Sequence, residues 1–188
     1  MKLKPMVLFL LLYVFSSSFL SASQRQGTFE LFLGNYDIQE SRFKAVYQKG
    51  GPIRGVIFSS TLLLGFDFYT EIKVFSKVGE LTYTKEESRF YFVPISLGLR
   101  YILPSQYIRP YLGGGGDFCV YYETNVIGTI FNFTGGYHIL GGVYFQFGEK
   151  IPILLNVRVK YTQVKARENN RILELGGVDY GGGVAIAF

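Results

Sequence analysis

The stretch from Ile153 to Tyr161, ILLNVRVKY, alternates between apolar and charged or polar side chains along its length. Successive side chains of a β-strand point to opposite faces, so this pattern predicts a strand with two unlike faces. One face carries Ile153, Leu155, Val157, Val159 and Tyr161, and the other carries Asn156, Arg158 and Lys160. A soluble ligand-binding barrel would put its apolar face inside, whereas the charged face here is suited to the interior of a barrel that lies in lipid.

The same alternation recurs along the chain and predicts eight strands. They lie at about 28–37, 57–68, 71–84, 89–103, 107–123, 134–147, 152–166 and 173–188. Several exceed the roughly 10 residues that a tilted strand needs to cross a bilayer. Because lipid cannot bond to backbone polar groups, strands cross it only as a closed barrel. We therefore predict an all-β fold, an eight-stranded antiparallel up-and-down transmembrane β-barrel.

The predicted connections alternate between short and long. Short breaks fall near 69–71, 104–106 and 148–150, and longer, more polar segments fall at 38–56 and 124–133. This arrangement is typical of outer-membrane barrels, which have tight periplasmic turns and longer external loops.

The first residues are typical of an export signal. Lys2 and Lys4 precede an unbroken apolar run from Met6 to Phe15, which is too short to span a membrane as a helix. Ser21-Ala22-Ser23 offers a cleavage site. We predict a signal peptide at 1–23 and one barrel domain at 24–188.

Two stretches resemble the small outer-membrane β-barrel family, the OmpA/OmpX-type barrels and their opacity-protein relatives. The first is VPISLGLRY at 93–101 followed by RPYLGGGG at 109–116, and the second is GVAIAF at 183–188. The ending is similar to the signal that the barrel-assembly machinery recognises, with Gly183, Ile186 and Phe188 in the matching positions. The resemblance implies the cell outer membrane as the location, with the lipid bilayer and the assembly machinery as partners.

Charged residues at inward positions are the most unusual feature of the predicted strands. They are Glu30, Asp67, Lys73, Arg100, Arg109, Asp117, Arg158, Lys160 and Asp179. Buried charges must be paired, so we expect a network of ion pairs inside the barrel, with Lys160 opposite Asp179 if the last hairpin turns near residue 170. The alternative interpretation is a gated path for protons or ions.

The sequence offers little sign of catalysis. His138 is the only histidine and Cys119 the only cysteine, and both fall on the inward face. We expect no cofactor, no metal site and no catalytic residue, with a lipid A-modifying enzyme centred on His138 as the less favoured alternative. Gly113 to Gly116 lacks the Lys-Ser/Thr of a phosphate-binding loop.

The remaining function classes depend on the external segments. The basic residues are scattered, and removal of Lys2 and Lys4 leaves a net charge of +3, from 17 basic and 14 acidic residues, so nucleic-acid binding is not expected. We predict a structural, surface-interaction or adhesion role in which segments 38–56 and 124–133 contact an extracellular ligand. The first alternative is a narrow channel for small solutes.

Overall fold

The computed structural model describes residues 27–47, 50–63, 65–81, 85–126, 128–147, 151–168 and 171–188. The predicted signal peptide, 1–23, lies outside these ranges. Within them, no helix is long and apolar enough to cross a membrane.

Most of the described chain is β-strand. The elements are β1 (Gly27–Ile38), α1 (Ser41–Tyr47), β2 (Gly51–Leu63), β3 (Phe66–Glu80), β4 (Glu87–Ile102), β5 (Ile108–Asn125), β6 (Gly128–Gln146), β7 (Ile153–Glu168), β8 (Arg171–Glu174) and β9 (Gly177–Ala187). β8 and β9 together form the eighth wall strand, because both pair with β7 in the same register. The backbone bond from Leu175 N to Val164 O, 3.0 Å, carries the ladder across the break.

Every strand pairs antiparallel with its neighbour, and β9 closes the sheet against β1. Residues that stand opposite one another trace a path around the barrel. In one direction from Gly115 on β5 the path passes Gly98, Tyr69 and Ser59 and reaches Thr28 on β1. In the other direction it passes His138, Thr162 and Gly177 and reaches Ile38, also on β1. The path thus returns to β1 ten residues away from Thr28, at Ile38. This stagger is the shear of the barrel, and it tilts the strands relative to the barrel axis.

The two ends of the barrel differ. The end that we call the termini end holds Gly27, Phe188 and the β2–β3, β4–β5 and β6–β7 connections, whereas the helix end holds α1 and the tips of the β3–β4, β5–β6 and β7–β8 hairpins. Gly27 and Phe188 exchange two backbone hydrogen bonds of 3.1 Å, so the first and last described residues join the wall there.

The outer surface is apolar, as the alternation predicts. Leu33 on β1 and Leu112 on β5 are 70% and 71% exposed. Aromatic rings contact one another across neighbouring strands on this surface, as in the tilted pairs Phe66–Tyr101 and Tyr91–Tyr122. A sheet with this exterior is stable only where the apolar side chains meet lipid.

The interior contains two apolar clusters separated by charged residues. The cluster at the helix end comprises Phe32, Tyr36, Ile38, Phe43, Tyr47, Ile53, Ile57, Phe75, Phe90, Phe92, Cys119, Tyr121, Val164, Ala166 and Leu175. The cluster at the termini end comprises Tyr69, Ile102, Tyr111, Leu140, Tyr144, Leu154, Ala185 and Ala187.

The predicted second turn was wrong, because β2 ends at Leu63 and β3 begins at Phe66 instead of turning at 69–71. A register shift between Thr61 and Leu63 gives β2 and β3 the same outward parity. The apolar alternation therefore runs through the turn without a visible break. Gly65, at φ +89°, is the residue that makes the turn.

The predicted loop at 124–133 was also wrong in its extent. β5 continues to Asn125 and β6 begins at Gly128, so most of this segment belongs to a long hairpin. The predicted loop at 38–56 contains α1 and the start of β2.

Candidate functional site

A cluster of buried charges, here called the Glu71 cluster, lies between the two apolar clusters. It comprises Glu71, Lys73, Ser96, Asp117, His138, Arg158, Lys160 and Asp179. Glu71 accepts hydrogen bonds from Arg158 Nη2 at 2.6 Å and from Lys160 Nζ at 2.5 Å. Lys73 Nζ donates to Asp179 Oδ2 at 2.5 Å and lies 3.6 Å from Glu71. Because each cation faces a carboxylate, the charges compensate one another in the buried interior.

The imidazole of His138 is enclosed by this cluster. Its Nδ1 lies 2.9 Å from Asp117 Oδ2, and its Nε2 makes a hydrogen bond with the Tyr69 hydroxyl. Lys160 connects Asp117 to Glu71, because its Nζ also lies 3.0 Å from Asp117 Oδ1. His138 is 2% exposed, so the ring does not reach the lipid surface or open solvent.

A second group of polar residues lies nearer the termini end. This Arg100 cluster comprises Glu30, Ser59, Asp67, Arg100, Tyr111, Tyr144 and Asn156. Arg100 donates to the Tyr144 hydroxyl at 2.7 Å and to Ser59 at 2.8 Å, and it lies 3.4 Å from Asp67. Tyr144 and Asn156 in turn each donate to Glu30 at 2.8 Å.

Aromatic rings fill the space between the charged groups. Lys73 Nζ and the Arg158 guanidinium carbon lie 4.4 and 4.5 Å from the centroid of the Phe32 ring. Arg100 lies over the rings of Tyr111 and Tyr144 at 5.2 and 5.1 Å. The cations therefore pack against π faces as well as carboxylates, which fills a barrel of this width with side chains.

Eight of the nine charges assigned to the interior from the sequence are buried there. Arg109 differs, because it lies at the start of β5 at the termini end, is only partly buried, and belongs to none of the ion pairs among the described residues. Lys160 stands opposite Asp179 in the ladder, as predicted. Their side chains nevertheless bond to other partners, Lys160 to Glu71 and Asp179 to Lys73.

Sequence reasoning missed Glu71, which makes more ion pairs than any other carboxylate described. The wrong turn at 69–71 put Glu71 at the first position of the predicted third strand, 71–84, and it was not assigned to the interior. The sequence did contain the information needed to find it. Glu71 is separated from Asp67 and from Lys73 by an even number of positions, so on β3 all three face the same side of the wall.

The helix α1 closes the barrel at the helix end. Phe43 packs edge-on against Phe90, with centroids 5.1 Å apart, and Tyr47 reaches the β4–β5 wall. There the hydroxyls of Tyr47 and Ser88 both donate to Glu123 Oε1, at 3.0 and 3.1 Å. Burial raises the pKa of the Tyr47 hydroxyl, so it remains a donor at neutral pH.

Two open grooves flank α1 on the surface. One, of about 530 Å³, lies between α1 and the β3–β4 hairpin and includes Lys77, Glu80, Lys85 and Glu87. The other, of about 410 Å³, lies between α1 and the ends of β1 and β9 and includes Asp37, Lys44 and Tyr180. Both grooves contain acidic and basic side chains. The charges of neither groove therefore favour an anionic ligand over a cationic one.

The residues of the predicted assembly signal lie at the end of β9. Ile186 and Phe188 face outward and are exposed. A Cβ on Gly183 would collide with the Glu30 carboxylate, so this glycine also makes room for the Arg100 cluster. The assembly role of the three residues stays a prediction.

Comparison with known proteins was made by sequence and by structure. No protein-family profile matches the chain, and no curated protein matches it.

Solved structures of small outer-membrane barrels match nearly the whole described chain. The outer membrane protein OprG from Pseudomonas aeruginosa has 13% identity and a TM-score of 0.67, covering 87% of this chain and 96% of that chain. Neisserial surface protein A has 14% identity and a TM-score of 0.57, with coverages of 86% and 97%. Ail, the attachment invasion locus protein of Yersinia pestis, matches in its complex with the heparin analogue sucrose octasulfate, with 10% identity, a TM-score of 0.54, and coverages of 86% and 98%.

At these low sequence identities, the similarity to the solved structures shows a shared fold. The chain has the architecture of the small bacterial outer-membrane β-barrels, and this sequence-based prediction is confirmed.

Proposed function

We propose that this chain is an integral protein of the bacterial outer membrane that acts at its external surface and does not conduct solutes through its barrel. The helix end, with α1 and the three hairpin tips, faces outward, and the termini end faces the periplasm. The proposal includes removal of residues 1–23 as a signal peptide. The barrel anchors and orients the external elements, and its interior charges serve its stability.

The observation that carries this proposal is the filled interior. Phe32, Arg158 and Tyr144 are each at most 2% exposed. Phe32 belongs to the apolar cluster at the helix end and Tyr144 to the one at the termini end, and Arg158 belongs to the Glu71 cluster between them. An ion that crossed would have to separate the ion pairs of the Glu71 cluster and pass aromatic layers on both sides. Separating a buried ion pair costs about 3–5 kcal/mol.

The same enclosure argues against lipid-modifying catalysis. His138 contacts Asp117 and Tyr69 inside the wall and has no route to a lipid substrate. Mass spectrometry of lipid A from cells that make the chain or its His138→Ala variant tests this point. We expect identical lipid A in both strains, and a modification lost only with His138→Ala would establish an enzyme.

Conductance separates the proposal from the narrow-channel alternative. The refolded chain in a planar bilayer is expected to give no unitary current under conditions in which a large porin conducts. Steps of current that change in size with Arg158→Ala or Asp179→Ala would contradict the proposal and establish a path through the Glu71 cluster.

Surface binding is tested on cells. Cells that display the full chain are compared with cells in which 41–47 and 124–130 are replaced by glycine–serine segments of equal length. Immobilised matrix proteins and a sulfated polysaccharide serve as ligands, the latter because Ail is seen with a heparin analogue. We expect binding that falls with the replacements, and equal binding by both cell types would contradict the surface role.

A further inference from the structure

The wall of the barrel opens between β6 and β7 at the helix end. The β6–β7 ladder ends at Gly136 and Val164, whereas the β5–β6 ladder continues to Asn125 and Gly128. Among the described strands, residues 128–135 of β6 therefore pair on one side only. Between the described residues, one hydrogen bond crosses the gap, from Thr134 Oγ1 to Lys165 O at 2.7 Å.

The alternation of the ladder identifies the backbone groups at this edge. Gln146 N donates to Tyr107 O on the β5 side, and the β5–β6 register runs without a shift to the tip of the hairpin. Even-numbered residues of β6 therefore bond to β5, and odd-numbered residues direct their N–H and C=O groups to the open side. At the open edge these are Thr129, Phe131, Phe133 and Gly135.

One of these groups has a hydrogen-bond partner within its own strand. Phe133 N–H donates to Asn132 Oδ1 at 2.8 Å, a bond between adjacent residues in place of one to a neighbouring strand. The side chain of Asn132 thus occupies the position that the carbonyl of an added strand would take.

The other open strand edges at the helix end are covered or charged. Beside the β3 edge, Lys77 Nζ donates to Gly50 O and α1 packs alongside. The β7–β8 hairpin carries the exposed pair Lys165–Glu174 at 3.5 Å. Charges and covering elements are the usual protection of a strand edge against further pairing.

Within the described part of the chain, the β6 edge carries neither form of protection. Residues 129–134, TIFNFT, contain no charge and no proline, and Phe131 and Phe133 are 69% and 63% exposed. On the adjacent β7 the outward face turns polar at Gln163, which accepts from the Tyr137 hydroxyl. Among the described residues, an apolar edge thus stands next to a polar neighbour.

We propose that residues 129–133 of β6 form a docking site for an extended polypeptide segment of another protein, which adds to the barrel wall as a strand. An extended chain is the ligand whose N–H and C=O groups repeat at the spacing of this edge. Its side chains would alternate, with apolar residues beside Phe131 and Phe133 and small polar residues beside Asn132. This inference rests on the proposed surface function and assigns it a partner class and a site.

Amide exchange in the full chain, refolded in detergent micelles, tests the site. The probe is a blocked peptide of about seven residues that alternates valine and threonine. At saturation we expect hydrogen exchange at the amides of Thr129 and Phe131 to slow by at least about tenfold, with no change at Ile130 and Asn132, which already bond to β5. The same peptide N-methylated at alternate amides cannot form the ladder and is expected to give no protection.

Two substitutions distinguish backbone pairing from apolar adhesion. Phe131→Pro removes an N–H that faces the gap, which a strand edge tolerates, and is expected to abolish protection at Thr129. Phe131→Ala keeps the N–H and is expected to retain protection with weaker binding. Asn132→Ala frees the Phe133 amide and is expected to tighten binding by a few-fold.

Three results would overturn the docking site: no protection by the unmodified peptide, equal protection by the N-methylated peptide, or amides already protected in the free chain in a concentration-dependent way, which would indicate a second copy at the edge. These results concern the purified chain alone. Peptide binding without any binding by whole cells would instead overturn the surface function and leave the edge site standing.

Discussion

At the scale of single residues, the interior is organised by the contacts of a few ionisable side chains. Glu71 contacts three cations, and Arg100 connects Asp67 to the tyrosines at the termini end. Removing one partner of a buried pair leaves the other charge unpaired, which costs more than the pair contributes to stability. Glycines are also needed for this packing, because the aromatic rings and guanidinium groups occupy space that a Cβ would take.

Glu71→Gln is expected to lower the free energy of unfolding by about 3–5 kcal/mol, because Arg158 and Lys160 lose their shared carboxylate. Glu87→Gln is the matched control, since Glu87 pairs with Arg89 at an exposed site. That change is expected to cost under about 1 kcal/mol. Urea titration followed by the gel mobility of folded and unfolded chain measures both, because the chain has no tryptophan to report unfolding. Equal destabilisation by the two variants would contradict the central role of Glu71.

Gly98→Ala is expected to destabilise the barrel by about 1–3 kcal/mol through overpacking. A Cβ at this position would lie 2.6 Å from the Tyr69 hydroxyl and 2.5 Å from Gly114 O. Gly116→Ala, on the neighbouring strand, has its nearest atom 3.9 Å away and serves as the control. The same urea titration is expected to show little loss for Gly116→Ala, and a larger loss there than for Gly98→Ala would refute the packing argument.

At the scale of elements, α1 and the hairpins determine what the helix end exposes. α1 is too short to be stable alone in water, so its position depends on the packing of Phe43 and Tyr47 over the cluster below. The same cluster contains Cys119, which is fully buried and is the only thiol of the chain. The thiol therefore reports whether the helix seals the barrel.

Replacement of 41–47 by glycine and serine is expected to speed the labelling of Cys119 by a water-soluble maleimide at least about tenfold, because the cluster then opens to solvent. Lys44→Ala, a change at a partly exposed position of α1, is expected to leave the labelling rate unchanged. Mass spectrometry of the folded chain over time gives the rates. Slow labelling after the replacement would mean that the strands alone seal this end.

At the scale of the whole molecule, closure of the sheet joins the two ends of the described chain. Gly27 and Phe188 pair through their backbones, and the ten-residue stagger tilts every strand. The closed ladder satisfies the backbone groups that lipid cannot, and the apolar exterior meets the lipid. Assembly in a cell and stability after assembly are separate properties of such a barrel.

Phe188→Ala is expected to reduce the amount of chain inserted in the outer membrane of cells several-fold, while refolding of the purified variant into lipid vesicles changes little. The reason is that the exposed Phe188 ring contributes little internal packing but belongs to the predicted assembly signal. Phe147→Ala, another exposed ring at the termini end, is the control. Equal loss of insertion for both variants would mean that Phe188 acts through interface anchoring alone.

Much of this architecture follows from alternation, which is a local property of the sequence. The side-chain period of a strand is two, so ILLNVRVKY alone determines which residues of β7 face inward, and the eight strands follow from repeating that argument. Because parity is local, it also identified Asp117, Arg158 and Asp179 as interior charges. It failed at 64–71, because a bulge preserved parity through the turn, so the turn was predicted at 69–71 and Glu71 fell at the very start of the predicted third strand.

The choice of partners inside the barrel depends on distances across the lumen, which alternation along one strand does not contain. Lys160 stands opposite Asp179 in the ladder, yet it bonds to Glu71 and Asp117, because the shear brings those carboxylates from other strands to its level. The placement of α1 over Cys119 and the open edge of β6 likewise arise from where non-neighbouring strands end. These are long-range relations, and only the closed, tilted wall brings the groups together.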